Sequence, residues 1–309
     1  MELWPSSQFS AKPPPQTPSP PAFAALKDGL NEHLSSLVGD RNPDFAPLKH
    51  RIVQDYIQQN LARHGSGTRH TFEHQGRLHH NWILDLPAAL SRNAAPQKIP
   101  APPILLGAHY DTVPGSPGAD DNATGVAVLL MLAEQLAACP GRSPFRLIAF
   151  DLEEYGLVGS AAYVRDHPRH HHPLRLMVSL EMLGYFNQRA NSQRYPPGLK
   201  YLYPSQGDFL GLIGNLQTLP DLLRLKRHIQ RAGSPCQWLP VINRGRGIDD
   251  TRRSDHAPFW DAGYNAILAT DTANLRNPHY HKASDRLETL NLTRLAQLCW
   301  GLFVGLWHL

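Results

Sequence analysis

Three apolar runs in this chain end in side chains that can bind a metal, and few folds accommodate that arrangement. Ile104-Leu-Leu-Gly-Ala runs into His109, Arg146-Leu-Ile-Ala-Phe-Asp-Leu into Glu153-Glu154, and Leu174-Arg-Leu-Met-Val-Ser-Leu into Glu181. Each run reads as a strand, with helical segments between them. Alternating strands and helices favour one α/β domain built on a mostly parallel sheet. In open sheets of that kind the site lies outside the carboxyl ends of the strands, where residues distant in sequence converge. Asp121 follows in the loop after His109, and His281 lies far downstream in a polar loop. The set His109, Asp121, Glu154, Glu181 and His281 spans roughly 170 residues, and only folding can bring it together.

Composition fits an enzyme. A chain of 309 residues with 41% hydrophobic content can fill a substantial core. The net charge of +4 is mild and its basic residues are scattered. Their one cluster, Arg224-Leu-Lys-Arg-His-Ile-Gln-Arg231, reads as the solvated face of a helix, so no nucleic-acid partner is expected. The three cysteines, Cys139, Cys236 and Cys299, have no metal-site spacing and form no disulfide framework. The opening residues lack a basic segment followed by an apolar one. The longest apolar stretch, Leu295 to Leu309, falls short of the roughly 20 residues of a membrane span. A soluble, cytoplasmic protein without a membrane partner is expected, and nothing in the chain specifies an oligomeric state.

Residues 1 to 21 are Pro- and Ser-rich, cannot bury an apolar face, and read as an extended or disordered arm. A single domain over residues 22 to 309 is expected to follow. Phe23 to Leu37 and a segment from Pro47 to Leu61 carry apolar residues at helical spacing. Thr68–His74 and Asn81–Leu86 suggest a hairpin pair, and residues 88 to 102 a surface connection. The segment Ala123 to Ala138 is apolar nearly all round, which places it against the sheet. Further helices are expected at Leu157–His167, Pro220–Arg231, His256–Ala262 and Leu292–Trp307, with a strand at Asn265–Thr270. The architecture expected is a three-layer α/β/α sandwich around a mostly parallel, mixed and twisted sheet.

The chemistry follows from residue types. A metal-bound histidine needs its second nitrogen fixed by an acceptor, and Asp111, two residues after His109, is placed to be that partner. In Gly118-Ala-Asp-Asp-Asn-Ala-Thr-Gly125, small residues on both sides let a carboxylate sit close to two metals; Asn122 or Thr124 suits the cap of the next helix. Glu153-Glu154 offers two carboxylates in different directions, which suits one ligand and one general base acting on activated water. Glu181 ends an apolar strand, where a carboxylate is costly unless paired or metal-bound. His279 rivals His281 as a ligand, and His281 is preferred. The tract His167-Pro-Arg-His-His-His172 reads as an exposed loop. Ser254-Asp255-His256 reads as a wall of the pocket. Arg244, Arg246, Arg252 and Arg253 read as solvated loop residues or as a rim able to hold a substrate carboxylate.

The segments GAHYDT, GADDNATGVA, DLEEYGLVGS, SLEMLGY, RRSDHAPFWDAG and NPHYHKASDRLETL resemble, in order, the signature blocks of the M28 zinc aminopeptidases, over roughly residues 104 to 290. The resemblance implies two Zn2+ ions. It assigns His109 and Glu181 to one, Glu154 and His281 to the other, Asp121 as the bridge and Glu153 as general base, with a peptide or small amide as substrate. It also implies a cis bond between Asp121 and Asn122. Many members carry Asp where this chain has Glu181; the longer carboxylate is still a hard oxygen ligand. Glutaminyl cyclases, acyltransferases with one zinc, share the fold and blocks. A metallo-carboxypeptidase or amide deacylase is a further reading, and an inactive binding module the non-enzymatic one, although no ligand or base is missing.

Overall fold

The computed structural model describes residues 15–89 and 101–309. Its strands, in chain order, are β1 (Gly67–His74), β2 (Arg77–Leu86), β3 (Ile104–His109), β4 (Phe145–Phe150), β5 (Leu176–Glu181), β6 (Leu210–Asn215), β7 (Cys236–Val241) and β8 (Ala266–Thr270). They form one sheet in the order β1-β2-β4-β3-β5-β8-β6-β7. The pairs β4-β3, β3-β5, β5-β8 and β6-β7 are parallel, while β1-β2, β2-β4 and β8-β6 are antiparallel. The three runs that end in candidate ligands are therefore the parallel centre of the sheet.

The helices are α1 (Pro20–Leu37), α2 (Pro47–Ala62), α3 (Gly125–Ala138), α4 (Val158–Asp166), α5 (Leu219–Arg231), α6 (His256–Asp261) and α7 (Leu292–Trp307). Alternation along β3 shows how they cover both faces. Leu106 and Ala108 join the large core under α1, α2, α3, α5 and α7, whereas Leu105 joins a smaller core with Phe259 and Trp260 of α6 and Tyr163 of α4. The result is the expected α/β/α sandwich. Helix α3 is buried along Val126 to Ala133 without a gap, and each such side chain of Val or Leu size contributes about 1.5–3 kcal/mol by leaving water.

The structure departs from the sequence reading in two places. Helix α1 begins at Pro20, because Ser19 Oγ accepts from the Ala22 amide and Pro20 supplies a first-turn φ without losing a helical donor. Pro20 and Pro21 are thus the first helical turn, not the end of an arm. Strands β6 and β7 were not anticipated: Leu210-Gly-Leu-Ile-Gly-Asn carries two glycines, and β7 contains Pro240. Strand β7 is the sheet edge, where a proline costs no ladder bond on its open side. Residues 1–14 of the expected arm and 90–100 of the expected connection lie outside the described residues.

Candidate metal centre

Strand register assembles the site. His109 ends β3 level with Phe150, the last residue of β4, and Glu181 ends β5 level with Thr270 of β8. Beyond β4 the chain turns through Asp151-Leu152 and presents Glu153 and Glu154. The fully buried Asp111 holds that turn. Its Oδ1 accepts from the Glu153 amide and its Oδ2 from the Glu154 amide, both at 3.0 Å. Asp111 Oδ1 also lies 3.3 Å from His109 Nδ1. One carboxylate thereby ties the loop after β3 to the loop after β4 and faces the histidine, the position expected for it.

Asp121 sits in a wound turn, Ala119–Thr124, that leads into α3. Gly118 opens this turn at φ 58°, and a Cβ there would lie 2.3 Å from the Asp121 carbonyl oxygen. Gly125 closes it, where a Cβ would lie 2.3 Å from Asn122 Oδ1. The Asp121–Asn122 peptide bond is cis, as expected. Asn122 fastens the turn to the end of β5, donating to the Leu180 carbonyl at 2.8 Å and accepting from the Met182 amide at 3.0 Å. The loop that carries His281 is joined to the same turn. Asp285 accepts from the amides of Asp120 and Asp121 at 2.9 and 3.0 Å, and Asn277 donates to Asp120 Oδ2 at 2.7 Å.

Two trios of potential ligands result: His109, Glu153 and Glu181, and Asp121, Glu154 and His281, with one donor atom of each residue within 4.8 Å of its trio's others. Asp121 links them. Its Oδ1 lies 3.2 Å from His109 Nε2 and its Oδ2 lies 3.2 Å from His281 Nε2. Around His109 Nε2, Glu181 Oε2 is at 3.4 Å and Glu153 Oε2 at 4.0 Å. Glu154 Oε2 is 3.1 Å from His281 Nε2. Glu181 is anchored by Ser254 Oγ, which donates to its Oε2 at 2.8 Å. His279 points elsewhere, to Ser284, and joins neither trio.

Electrostatics match a cation site. Burial, then the neighbouring Glu181 and Glu154, pushes Glu153 well above the usual carboxylate range, and burial with Asp121 raises Glu154 to about 7. Burial opposes charge on Asp121 too, yet His109 and His281 hold it well below that range. His281 is raised to about 10 against its own burial by Asp121 and Glu154. Both His109 ring nitrogens and Glu154 Oε1 are buried without a hydrogen-bond partner of good geometry. Unpartnered buried imidazole and carboxylate atoms, pooled with acidic neighbours, form the hard nitrogen and oxygen donor set that divalent zinc accepts. The residues present fit the ion that the sequence implied.

Other singled-out residues fall into place around this centre. His256 Nε2 bonds the Thr251 carbonyl at 2.8 Å, and burial lowers it to about 4, so it is a neutral core residue. Asp255 is fully buried and raised to about 7, chiefly by burial, in the field of Glu181 and Asp111. His167 stacks on Tyr163 at 4.3 Å between ring centres, and the tract to His172 enters neither trio. Arg41 went unnoticed in the sequence. It is 1% exposed and donates to the carbonyls of Tyr110, Leu37, Gly39, Pro117 and Gly118 at 2.8–3.1 Å, fixing the loop between His109 and Asp121. Its signal was absent because a turn some 70 residues upstream carries no motif.

A cleft opens over both trios, with apolar walls that include Tyr203, Phe209, Leu212 and Trp238. No described helix is long and apolar enough to cross a membrane. The model of peptidase family M28 matches residues 91–303. The uncharacterized protein YfbL of Escherichia coli K12 is 35% identical over 223 residues, 67% of this chain and 67% of that one. Aminopeptidase YwaD of Bacillus subtilis is 34% identical over 208 residues, 65% of this chain and 40% of that one. The structure of BSAP, a zinc aminopeptidase from Bacillus subtilis, shares 25% identity at a TM-score of 0.54, over 75% of this chain and 50% of that one. The chain thus spans half or less of the two named aminopeptidases. On the match over most of its length, with the site residues gathered at the strand ends, this chain belongs to peptidase family M28.

Proposed function

We propose that this chain is a two-zinc aminopeptidase that hydrolyses the amino-terminal bond of peptides or small amides. The observation that carries the reading is Asp121, whose two oxygens diverge to His109 and His281 at 3.2 Å each. Asp121 would bridge two ions, with His109 and Glu181 completing one ligand set and Glu154 and His281 the other. Zinc held there supplies Lewis-acid activation of water and of the scissile carbonyl. Glu153 lies farther from His109 Nε2 than Asp121 or Glu181 does, and its side chain keeps 11% exposure to the cleft. From that position its carboxylate would take a proton from the attacking water and return it to the leaving amine. Asp111 acts through others, holding His109 and both glutamate amides in position.

Asp121, Glu153, Glu154 and Glu181 line the cleft floor, and that acidic field suits a substrate with a free α-ammonium group. Cleavage of leucyl-anilide that vanishes on N-acetylation is the expected result. Preferential cleavage of N-acylated amino acids would establish a carboxypeptidase or deacylase instead. Ammonia release from an N-terminal glutamine, without anilide hydrolysis, would establish a cyclase.

A further inference from the structure

We propose that Arg253 determines specificity by binding the α-carboxylate of short peptides, so that dipeptides with a free carboxyl end are preferred. This rests on the peptidase reading above and extends it to the far end of the substrate. Of the four arginines in the loop before α6, three are engaged with Asp261. Arg244 Nη1 donates to the Asp261 carbonyl at 2.9 Å, and the Asp261 carboxylate receives Arg246 at 3.4 Å and Arg252 at 2.7 Å. Arg253 turns the other way. Among the described residues it is the only arginine or lysine lining the cleft.

Among the described residues its side chain makes one hydrogen bond, to a neutral acceptor. Arg253 Nη2 donates to the Tyr280 hydroxyl at 3.1 Å, and the guanidinium lies 5.7 Å from the centre of the Tyr280 ring. A guanidinium has five N–H donors in a fork shaped for a carboxylate, so most of that fork stays open to the cleft. Asp250, on the same wall, accepts from Asn274 and forms no ion pair with Arg253. The Tyr280 ring stacks on the His281 ring at 3.8 Å between centres. The cation therefore stands one stacking distance and one cation–π distance from a proposed metal ligand. One residue advances a chain by at most ~3.6 Å, so a carboxylate one residue beyond the scissile bond, plus the reach of an arginine–carboxylate pair, falls on that scale. A longer peptide would place an uncharged amide there. The acidic floor reads the amine, and Arg253 reads the acid.

The test compares leucyl-leucine with leucyl-leucinamide on the zinc-loaded protein. A hydrogen-bonded charge at a partly exposed site supports about tenfold discrimination. The wild type is expected to favour the free acid in kcat/KM by about tenfold, and Arg253→Met to bring the ratio close to one. Arg253→Lys, which keeps the charge without the fork, falls between. Arg252→Met, whose guanidinium faces Asp261, keeps the wild-type ratio. Calorimetric binding of the uncleavable reduced-bond isosteres of the acid and the amide gives the same comparison without turnover. Equal rates for acid and amide with anilide cleavage intact overturn this inference and leave the peptidase standing. No hydrolysis of any substrate, with isosteres bound equally, overturns both.

Discussion

Asp111→Asn should separate a positioning carboxylate from an incidental one. The side chain is fully buried, accepts two amide hydrogens at 3.0 Å and lies 3.3 Å from His109 Nδ1. Asparagine keeps one acceptor oxygen, turns an NH2 group toward the other amide, and removes the charge. A hydrogen bond to a charged group contributes about 1.5–3 kcal/mol, and a buried donor left unpaired costs about 1–3 kcal/mol more. Partial relaxation of the loop brings the expected loss to about 3 kcal/mol, a large share of the 5–15 kcal/mol typical of a folded domain. With the carboxylate that faces Nδ1 neutralised, a zinc-bound His109 should also lose orientation, which typically costs about 10–100-fold in metal affinity. Urea unfolding of metal-free protein measures the first effect through the midpoint at constant slope. Zinc competition with a chelator measures the second. A loss under about 1 kcal/mol together with unchanged zinc affinity would refute the assignment.

Other perturbations follow from the same geometry. Glu153→Gln should lower turnover by roughly 10²–10⁴-fold with zinc content and melting temperature unchanged; near-wild-type turnover would pass the base to another residue. Gly125→Ala drives a Cβ to 2.3 Å from Asn122 Oδ1 and 2.5 Å from the Leu180 carbonyl. It should cost about 1–3 kcal/mol and weaken zinc binding, and a neutral outcome would show that the Asp121 turn has slack. The buried His50 bonds Asp151 at 2.8 Å. Burial works against its charge, but Asp151 outweighs it and leaves the imidazole above 6.5, while His50 and His79 hold Asp151 below the usual range despite burial. The raised group stabilises fully below 6.5 and loses that contribution as pH rises through its folded value. The stability deficit of His50→Gln should therefore be largest between the ordinary values of 3.8 and 6.5 and shrink in alkali; a deficit that grows above pH 8 would contradict the ion pair.

Much of this candidate site could be read from the chain because several of its candidate ligands end apolar runs. His109 and Glu181 close buried strands, where a polar side chain demands a partner, and Asp121 sits in a block whose small residues Gly118 and Gly125 the structure shows to be sterically required. What joins those candidate residues could not be read. Arg41 and Asp285 act on backbone groups across 69 and 164 residues, and no local pattern encodes such a contact. Strands β6 and β7 hid because glycine and Pro240 are poor strand formers that an edge position and tertiary pairing accommodate. The directions of three of the four loop arginines depended on Asp261, far enough along α6 that spacing alone did not connect them. Pro20 and Pro21 misled because proline belongs equally to an extended arm and to a first helical turn.

The proposed bridging of two ions by Asp121 is decided by metal analysis of protein saturated with zinc and desalted, compared with Asp121→Ala treated identically. Two equivalents of zinc per wild-type chain, and loss of both in the variant, are predicted. One equivalent with hydrolysis intact, or a variant that keeps one tightly bound zinc, would contradict it.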